Sequence, residues 1–244
     1  MKYLITGGCS FSMMHMTADH DPDWKPAKSP VNITWVKHLD NYFEIPTIHT
    51  GSAAAGNGYI SRRVMEEVDK LLRKGINPED ILVAIMWSAP KRYQHFWDGE
   101  WFILSTITKD RHPDMRRDLL GLENDVVKIW FDKFYDDVGS QIRSWQDINA
   151  TQDYFKRVNV NYFMMNFFSY VVEEHKEDPN VSWLRDRIDT SKWPLWPQGQ
   201  WDWIQENALD LPYDEDGNHP GEKQHMRWTE QVIIPYLKDT YDTL

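Results

Sequence analysis

The strongest constraint on this chain is the way short apolar runs alternate with segments of helical period over its first ninety residues. "KYLITGG" (2–8) and "DILVAIMW" (80–87) have strand length and β-prone composition, and "EIPTIHTG" (44–51) is a weaker run of the same kind. Between the first two strands, "TWVKHLDNYF" (34–43) places Trp35, Val36, Leu39 and Phe43 on one helical face. Between the next two, "SRRVMEEVDKLLRKG" (61–75) places Val64, Val68, Leu71 and Leu72 at helical spacing, with Ser61 as an N-cap and Gly75 as a stop. Near-continuous apolar strands belong to parallel sheets buried on both faces, so this order predicts βαβαβ and the α/β class.

A further strand is expected at "VNVNYFMM" (158–165), giving a central parallel sheet of about four to five strands between two helical layers. Residues 92–157 read as a helical insertion between strands 3 and 4, with Val126, Val127, Trp130, Phe134, Val138, Ile142 and Trp145 at helical intervals. Beyond the last strand, 166–180 look helical, 181–213 irregular, and 223–239 helical, with Pro235 expected to kink or shorten that last helix. With no repeat or flexible linker in 244 residues, one domain spanning 1–244 is the simplest organisation, large enough to bury roughly three quarters of its unfolded surface.

A formal charge of −11 argues against nucleic acid or an anionic membrane as partner. The longest apolar stretch, 160–172, is too short to cross a bilayer, no signal-peptide h-region is evident, and the single cysteine, Cys9, fits a reducing compartment, so a soluble cytoplasmic protein is expected. The sequence leaves oligomeric state open. Thirteen Trp is a high count, with a cluster in "WPLWPQGQWDW" (193–203). These rings either pack the core and loops or form a stacking surface for flat ligands such as sugars.

Four stretches fall beyond strand ends, where open parallel sheets place their ligands: "GGCSFS", "GSAAAGNGYI" (51–60), "MWSAPKR" (86–92) and, before the last helix, "DEDGNHPGEKQH" (214–225). In order and position they resemble the four blocks of the SGNH (GDSL-type) hydrolase family, over about 1–92 and 205–240. Gly8-Cys9-Ser10 matches that family's Gly-x-Ser, with Cys9 where Asp is usual, and Asp216-Gly217-Asn218-His219 matches its Asp-x-x-His, followed by Pro220. Gly56, with Asn57 beside it, matches the glycine of the second block. The third block departs: the family's Gly-x-Asn-Asp is replaced by Met86-Trp87-Ser88-Ala89, which puts Ser88 in the register of the oxyanion-binding Asn.

The resemblance implies a three-layer, flavodoxin-like fold and a serine esterase without metal or cofactor, acting on a small-molecule or glycan ester. Its catalytic residues would be Ser10, Asp216 and His219, and its oxyanion donors Gly56 with Asn57 or Ser88. The chemistry of those residue types agrees. A serine hydroxyl needs a base to become nucleophilic, a neutral imidazole is suited to that at pH 7, and a carboxylate on the other ring nitrogen fixes the tautomer. The unmatched third block keeps two alternatives in view, a weakly active glycan- or protein-binding relative and an acyltransferase using the same residues.

Several residues carry competing readings. The glycine pair 7–8 is expected to turn the chain so that Ser10 emerges at the sheet edge, with Cys9 in packing rather than catalysis and Ser12 a bystander. His15, Asp19, His20, Asp21 and Asp23 have ligand-like chemistry but no recognised metal spacing. Lys91 and Arg92 could contact substrate or be ordinary solvated charges. Glu222 and His225 are expected on the surface of the last helix.

Overall fold

A computed structural model describes residues 1–12, 33–52, 54–97, 100–105, 124–214 and 217–241. The chain forms β1 (Tyr3–Gly7), a 3-10 turn (Ser10–Ser12), α1 (Trp35–Phe43), β2 (Thr47–His49), α2 (Asn57–Arg73) and β3 (Ile81–Trp87). After these come a β4–β5 hairpin (Arg92–Trp97, Glu100–Ser105), α3 (Asn124–Lys133), α4 (Asp137–Val158) and β6 (Asn161–Asn166). Two single helical turns, α5 (Tyr170–Glu173) and α6 (Ser182–Arg185), lead to α7 (Gln200–Asn207), α8 (Glu222–Trp228), a π-helical turn (Thr229–Ile233) and α9 (Ile234–Thr240).

The main sheet has four parallel strands in the order β2-β1-β3-β6. This is the α/β architecture expected, and the order reverses direction at β1 and β3, the switch point beside which such sheets bind ligands. All seven residues of β3 are buried, which is why its sequence is apolar throughout rather than alternating. Helix α2 packs on β1, β3 and α4, and α1 packs on α8, so helices cover both faces. One continuous core runs through these layers, from Leu4 and Ile5 on β1 to Trp228 and Ile233 near the C-terminus.

Local expectations differ from the structure in four places. The insertion begins with an antiparallel hairpin, β4–β5, before its helices, because "RYQHFW" and "EWFILS" pair as strands. Helix α2 starts at Asn57 rather than Ser61; Ser61 lies inside it, its Oγ accepting a 2.6 Å hydrogen bond from Thr151 Oγ1 of α4. Only one helical turn, α5, forms within 166–180, and α6 and α7 appear inside the stretch expected to be irregular. The last helix accommodates Pro235 by a π-helical turn just before it, where a wider turn tolerates the missing N–H.

The glycine pair has another physical reason than the one expected. Neither Gly7 nor Gly8 adopts a positive φ. Gly7 ends β1 beneath α2, where a Cβ would stand 2.5 Å from Val64 Cγ1, and a Cβ on Gly8 would overlap the Ser12 side chain. Close packing, not backbone rotation, excludes a side chain at both positions. Ser12 is therefore no bystander: it is buried and its Oγ accepts a 3.1 Å hydrogen bond from Trp35 Nε1, pinning the turn to α1.

Candidate active site

The carboxyl end of β1 is held by its neighbours on both sides. Ser52 N–H donates to Gly8 O at 3.1 Å from the loop after β2, and Thr50 N–H donates to Thr6 O at 2.8 Å. The chain then tightens into the 3-10 turn, in which Ser12 N–H donates to Cys9 O at 2.9 Å. Cys9 points into the core and is wholly buried, while Ser10 is partly exposed at the start of the turn.

The loop before α8 brings in the second group. Tyr213 and Pro220 form an antiparallel bridge, and Asp214 N–H donates to His219 O at 3.1 Å, so the backbone on either side of 217–219 is tied together. Gly217 sits in that loop with φ of 66°, a conformation suited to glycine. His219, half-buried, places Nε2 2.9 Å from Ser10 Oγ across 209 residues of sequence. With the imidazole proton on Nδ1, the serine hydroxyl donates to Nε2, the arrangement a general base needs. Asp216 lies outside the described residues, as do His15, Asp19, His20, Asp21 and Asp23. Among the described residues there is no group of three or more His, Cys, Asp or Glu placed to hold a metal ion.

An aromatic wall surrounds this pair. The Phe11 ring centroid lies 5.0 Å from that of His219, 5.1 Å from Phe167 and 6.2 Å from Trp201, which in turn packs 5.4 Å from Tyr213. The wall is anchored by backbone: Trp201 N–H donates to Phe167 O at 2.8 Å, and Asp202 accepts from the N–H groups of Ser169 and Gly199 at 2.6 and 2.9 Å. Trp201 is thus the Trp of the 193–203 cluster that packs on Phe11, the ring beside His219. Most of the others that the structure describes serve packing: Trp35, Trp87, Trp145 and Trp228 are fully buried, and Trp193 and Trp203 nearly so.

The expected oxyanion donors divide. Gly56 is the N-cap of α2, where the first N–H groups have no intrahelical acceptor and carry the positive end of the helix dipole. A Cβ at Gly56 would collide with the Arg92 carbonyl, so a glycine is required for β4 to start against the helix. Asn57 is 2% exposed and its side chain is fully engaged. Its Nδ2 donates to Ser88 O at 2.9 Å and to Ser144 Oγ at 2.6 Å, and its Oδ1 accepts from Ser88 N–H at 2.7 Å. The expectation that the Asn57 amide donates to an oxyanion is therefore corrected, since both amide hydrogens are committed to tying α2 to the end of β3 and to α4.

Ser88 is wholly buried, and its Oγ accepts a 2.9 Å hydrogen bond from Arg92 Nη1, so its hydroxyl helps to orient that arginine. Arg92 is accordingly a half-buried, positioned group, its Cζ 6.0 Å from the Phe167 ring centroid, whereas Lys91 forms ion pairs with Asp137 and Glu174 at 3.2 and 3.4 Å.

His225 also departs from expectation. It is wholly buried, its Nδ1 2.9 Å from Gln200 Nε2, and burial pushes its pKa down to about 3. A histidine held neutral in this way packs α8 against α7. Its burial follows from one turn of helical period: His225 is the third residue before Trp228, and both face inward.

A protein-family model described as "Family of unknown function (DUF6071)" matches residues 17–241. None of the curated proteins matches the chain. Among solved structures it is similar to the crystal structure of TesA, with 12% identity and a TM-score of 0.45 over 98% of this chain and 99% of that one. It is also similar to LAE5, an alpha/beta hydrolase enzyme from the metagenome of Lake Arreo, Spain, with 12% identity and a TM-score of 0.46 over 98% of this chain and 94% of that one.

Proposed function

The chain belongs to the DUF6071 family, whose description assigns no activity, and for it we propose a serine esterase that removes a small acyl group through an acyl-serine intermediate. The observation that carries this reading is the 2.9 Å approach of His219 Nε2 to Ser10 Oγ at the carboxyl end of β1. As Ser10 Oγ attacks the ester carbonyl, its proton passes to His219, and a tetrahedral intermediate forms with a negative oxygen. The imidazolium then protonates the departing alcohol, leaving the acyl group on Ser10, and water activated by the same imidazole hydrolyses it.

The backbone N–H groups of Ser10 and Gly56 are the proposed oxyanion donors, the second reinforced by the α2 dipole. Asp216 is the proposed carboxylate that orients His219. The aromatic wall of Phe11, Phe167 and Trp201 supports an acyl group bound against rings rather than charges. Engagement of Asn57 and Ser88 elsewhere leaves the proposed oxyanion hole with backbone donors, and losing one side-chain donor of this kind costs about 10²–10³ in rate in a well-studied protease, so a slow esterase is the expectation. Purified protein should release p-nitrophenol from p-nitrophenyl acetate, and Ser10→Ala should abolish that release. Wild-type protein that releases no more than the buffer alone, or an equally active Ser10→Ala variant, overturns the reading.

A further inference from the structure

Two consecutive cations follow β3, and the fold treats them differently. Lys91 is neutralised by Asp137 and Glu174 at 3.2 and 3.4 Å, whereas half-buried Arg92 has an uncharged partner, its Nη1 donating to Ser88 Oγ at 2.9 Å. In a chain of 38 acidic side chains against 27 basic ones, no carboxylate of a described residue pairs with Arg92. A guanidinium drawn out of water is ordinarily paired, so this one is set for an anion that the fold does not supply. We propose that Arg92 determines specificity by receiving a carboxylate at the far end of the ester's acyl chain, which makes the preferred substrate a half-ester of a dicarboxylic acid. The inference rests on the esterase reading for the bond attacked at Ser10 and deepens it by naming the acyl group.

The sheet brings this charge to the strand end next to the nucleophile. Gly7 pairs with Ile85 in the parallel β1–β3 ladder, and Ser10 and Ser88 are each the third residue beyond that pair. The two chains stay adjacent past the ladder, since a Cβ on Gly8 would stand 3.2 Å from Met86 O. Ser10 and Ser88 therefore leave neighbouring strand ends, which a sheet sets about 4.8 Å apart, and the Arg92 guanidinium is one hydrogen bond beyond Ser88. The arginine also starts against the proposed oxyanion donor, because a Cβ on Gly56 would lie 3.3 Å from Arg92 Cβ. A short run of methylenes spans that separation.

The surroundings narrow the ligand. Arg92 Nε is enclosed and Ser88 holds Nη1, which leaves Nη2 as the donor open to a ligand. Tyr170 adds a second donor: burial pushes its pKa up to about 12, so the hydroxyl keeps its proton, and both Arg92 and Cys9, the residue before Ser10, act on it electrostatically. The acids that act on the same hydroxyl are committed elsewhere, Glu174 to Lys91 and Asp202 to the N–H groups of Ser169 and Gly199. Methylenes find rings along the way, with Arg92 Cζ 6.0 Å from the Phe167 centroid and Phe167 5.1 Å from Phe11 and 5.7 Å from Tyr170. A neutral chain reaching Arg92 would cover the cation without compensating it, whereas a terminal carboxylate supplies a charge-assisted hydrogen bond.

The test compares mono-p-nitrophenyl adipate with p-nitrophenyl hexanoate, acyl chains of equal length with and without the carboxylate, after subtraction of the buffer rate. Wild-type kcat/KM should favour the adipate at least tenfold. Arg92→Gln should erase that preference and Tyr170→Phe should reduce it, with circular dichroism reporting an intact fold. A wild-type ratio near one overturns the proposal without any variant, and so does an Arg92→Gln variant that loses equally on both esters and keeps the ratio. Binding is read separately by NMR titration of Ser10→Ala protein with sodium adipate, which should bind at least tenfold more weakly when Arg92→Gln is added. Arg92-dependent adipate binding without turnover of either ester removes the esterase reading alone; turnover without an Arg92-dependent preference removes this inference alone.

Discussion

The ends of β1 and β3 lie side by side in one sheet, yet they treat their polar residues in opposite ways. At the end of β1, Ser10 is partly exposed and its hydroxyl meets a histidine delivered from the other end of the chain. At the end of β3, Asn57 and Ser88 are buried and bind each other, three hydrogen bonds from one amide closing the junction of α2, β3 and α4. The first arrangement leaves a reactive atom available. The second makes a rigid floor, and the difference lies in whether neighbouring backbone offers a partner before any substrate arrives.

The largest expected effect tests the first end. His219→Ala should lower esterase turnover by about 10⁴-fold or more, and combining it with Ser10→Ala should cost little further, because residues acting as one unit are not additive. Steady-state assays on the two single variants and the double variant decide this; additive losses would separate the two residues. The second end should respond in stability instead. Asn57→Ala leaves three buried groups of Ser88 and Ser144 unpaired and should cost roughly 3–9 kcal/mol in urea unfolding, at about 1–3 kcal/mol for each orphaned group. A variant of undiminished stability with lowered kcat would return Asn57 to the oxyanion role.

Asp147 abuts the same junction and makes its stability pH-dependent. The folded protein keeps a proton on Asp147 up to about pH 7, whereas the unfolded chain releases it near 3.8, so this residue's contribution is present at low pH and is lost as pH rises between those values. Asp147→Asn should therefore raise the Tm at pH 8, by about 2–4 °C for each kcal/mol of relieved desolvation, and leave it nearly unchanged at pH 4. A Tm difference that is equal at both pH values, measured by scanning calorimetry, contradicts the burial of that carboxyl. The smallest effect is expected from Ser88→Ala, which removes one acceptor from Arg92 and should cost about 0.5–1.5 kcal/mol. Its effect on turnover should stay under tenfold, whereas a loss of 10²-fold or more would place the Ser88 hydroxyl at the reacting oxygen.

Length and composition carried the sheet: "ILVAIMW", short for a helix and rich in β-branched residues, reads as a strand covered on both faces, and β3 is that strand. The meeting of residues 10 and 219 was legible through the resemblance of Gly8-Cys9-Ser10 and Asp216-Gly217-Asn218-His219 to two blocks of one hydrolase family, and the structure brings the two side chains to 2.9 Å. What the sequence did not disclose was which way polar side chains face. Asn57 next to a glycine at a helix start looks alike whether it points to solvent or to Ser88, and His225 looks like a surface residue until Gln200 closes over it. The roles of Gly7 and Gly8 were hidden for the same reason, since the clash each avoids comes from Val64 and Ser12 in three dimensions. Asp147 carried no pattern at all: a charged residue on a long helix is ordinary until a neighbouring helix end and a hairpin enclose it.

The account stands on Ser10 being a nucleophile made reactive by His219. Incubation with a fluorophosphonate followed by peptide mass spectrometry tests this directly. One covalent adduct on Ser10 in the wild type, formed far more slowly in His219→Ala, is the predicted result; no adduct at Ser10, or one formed equally fast without the imidazole, contradicts it.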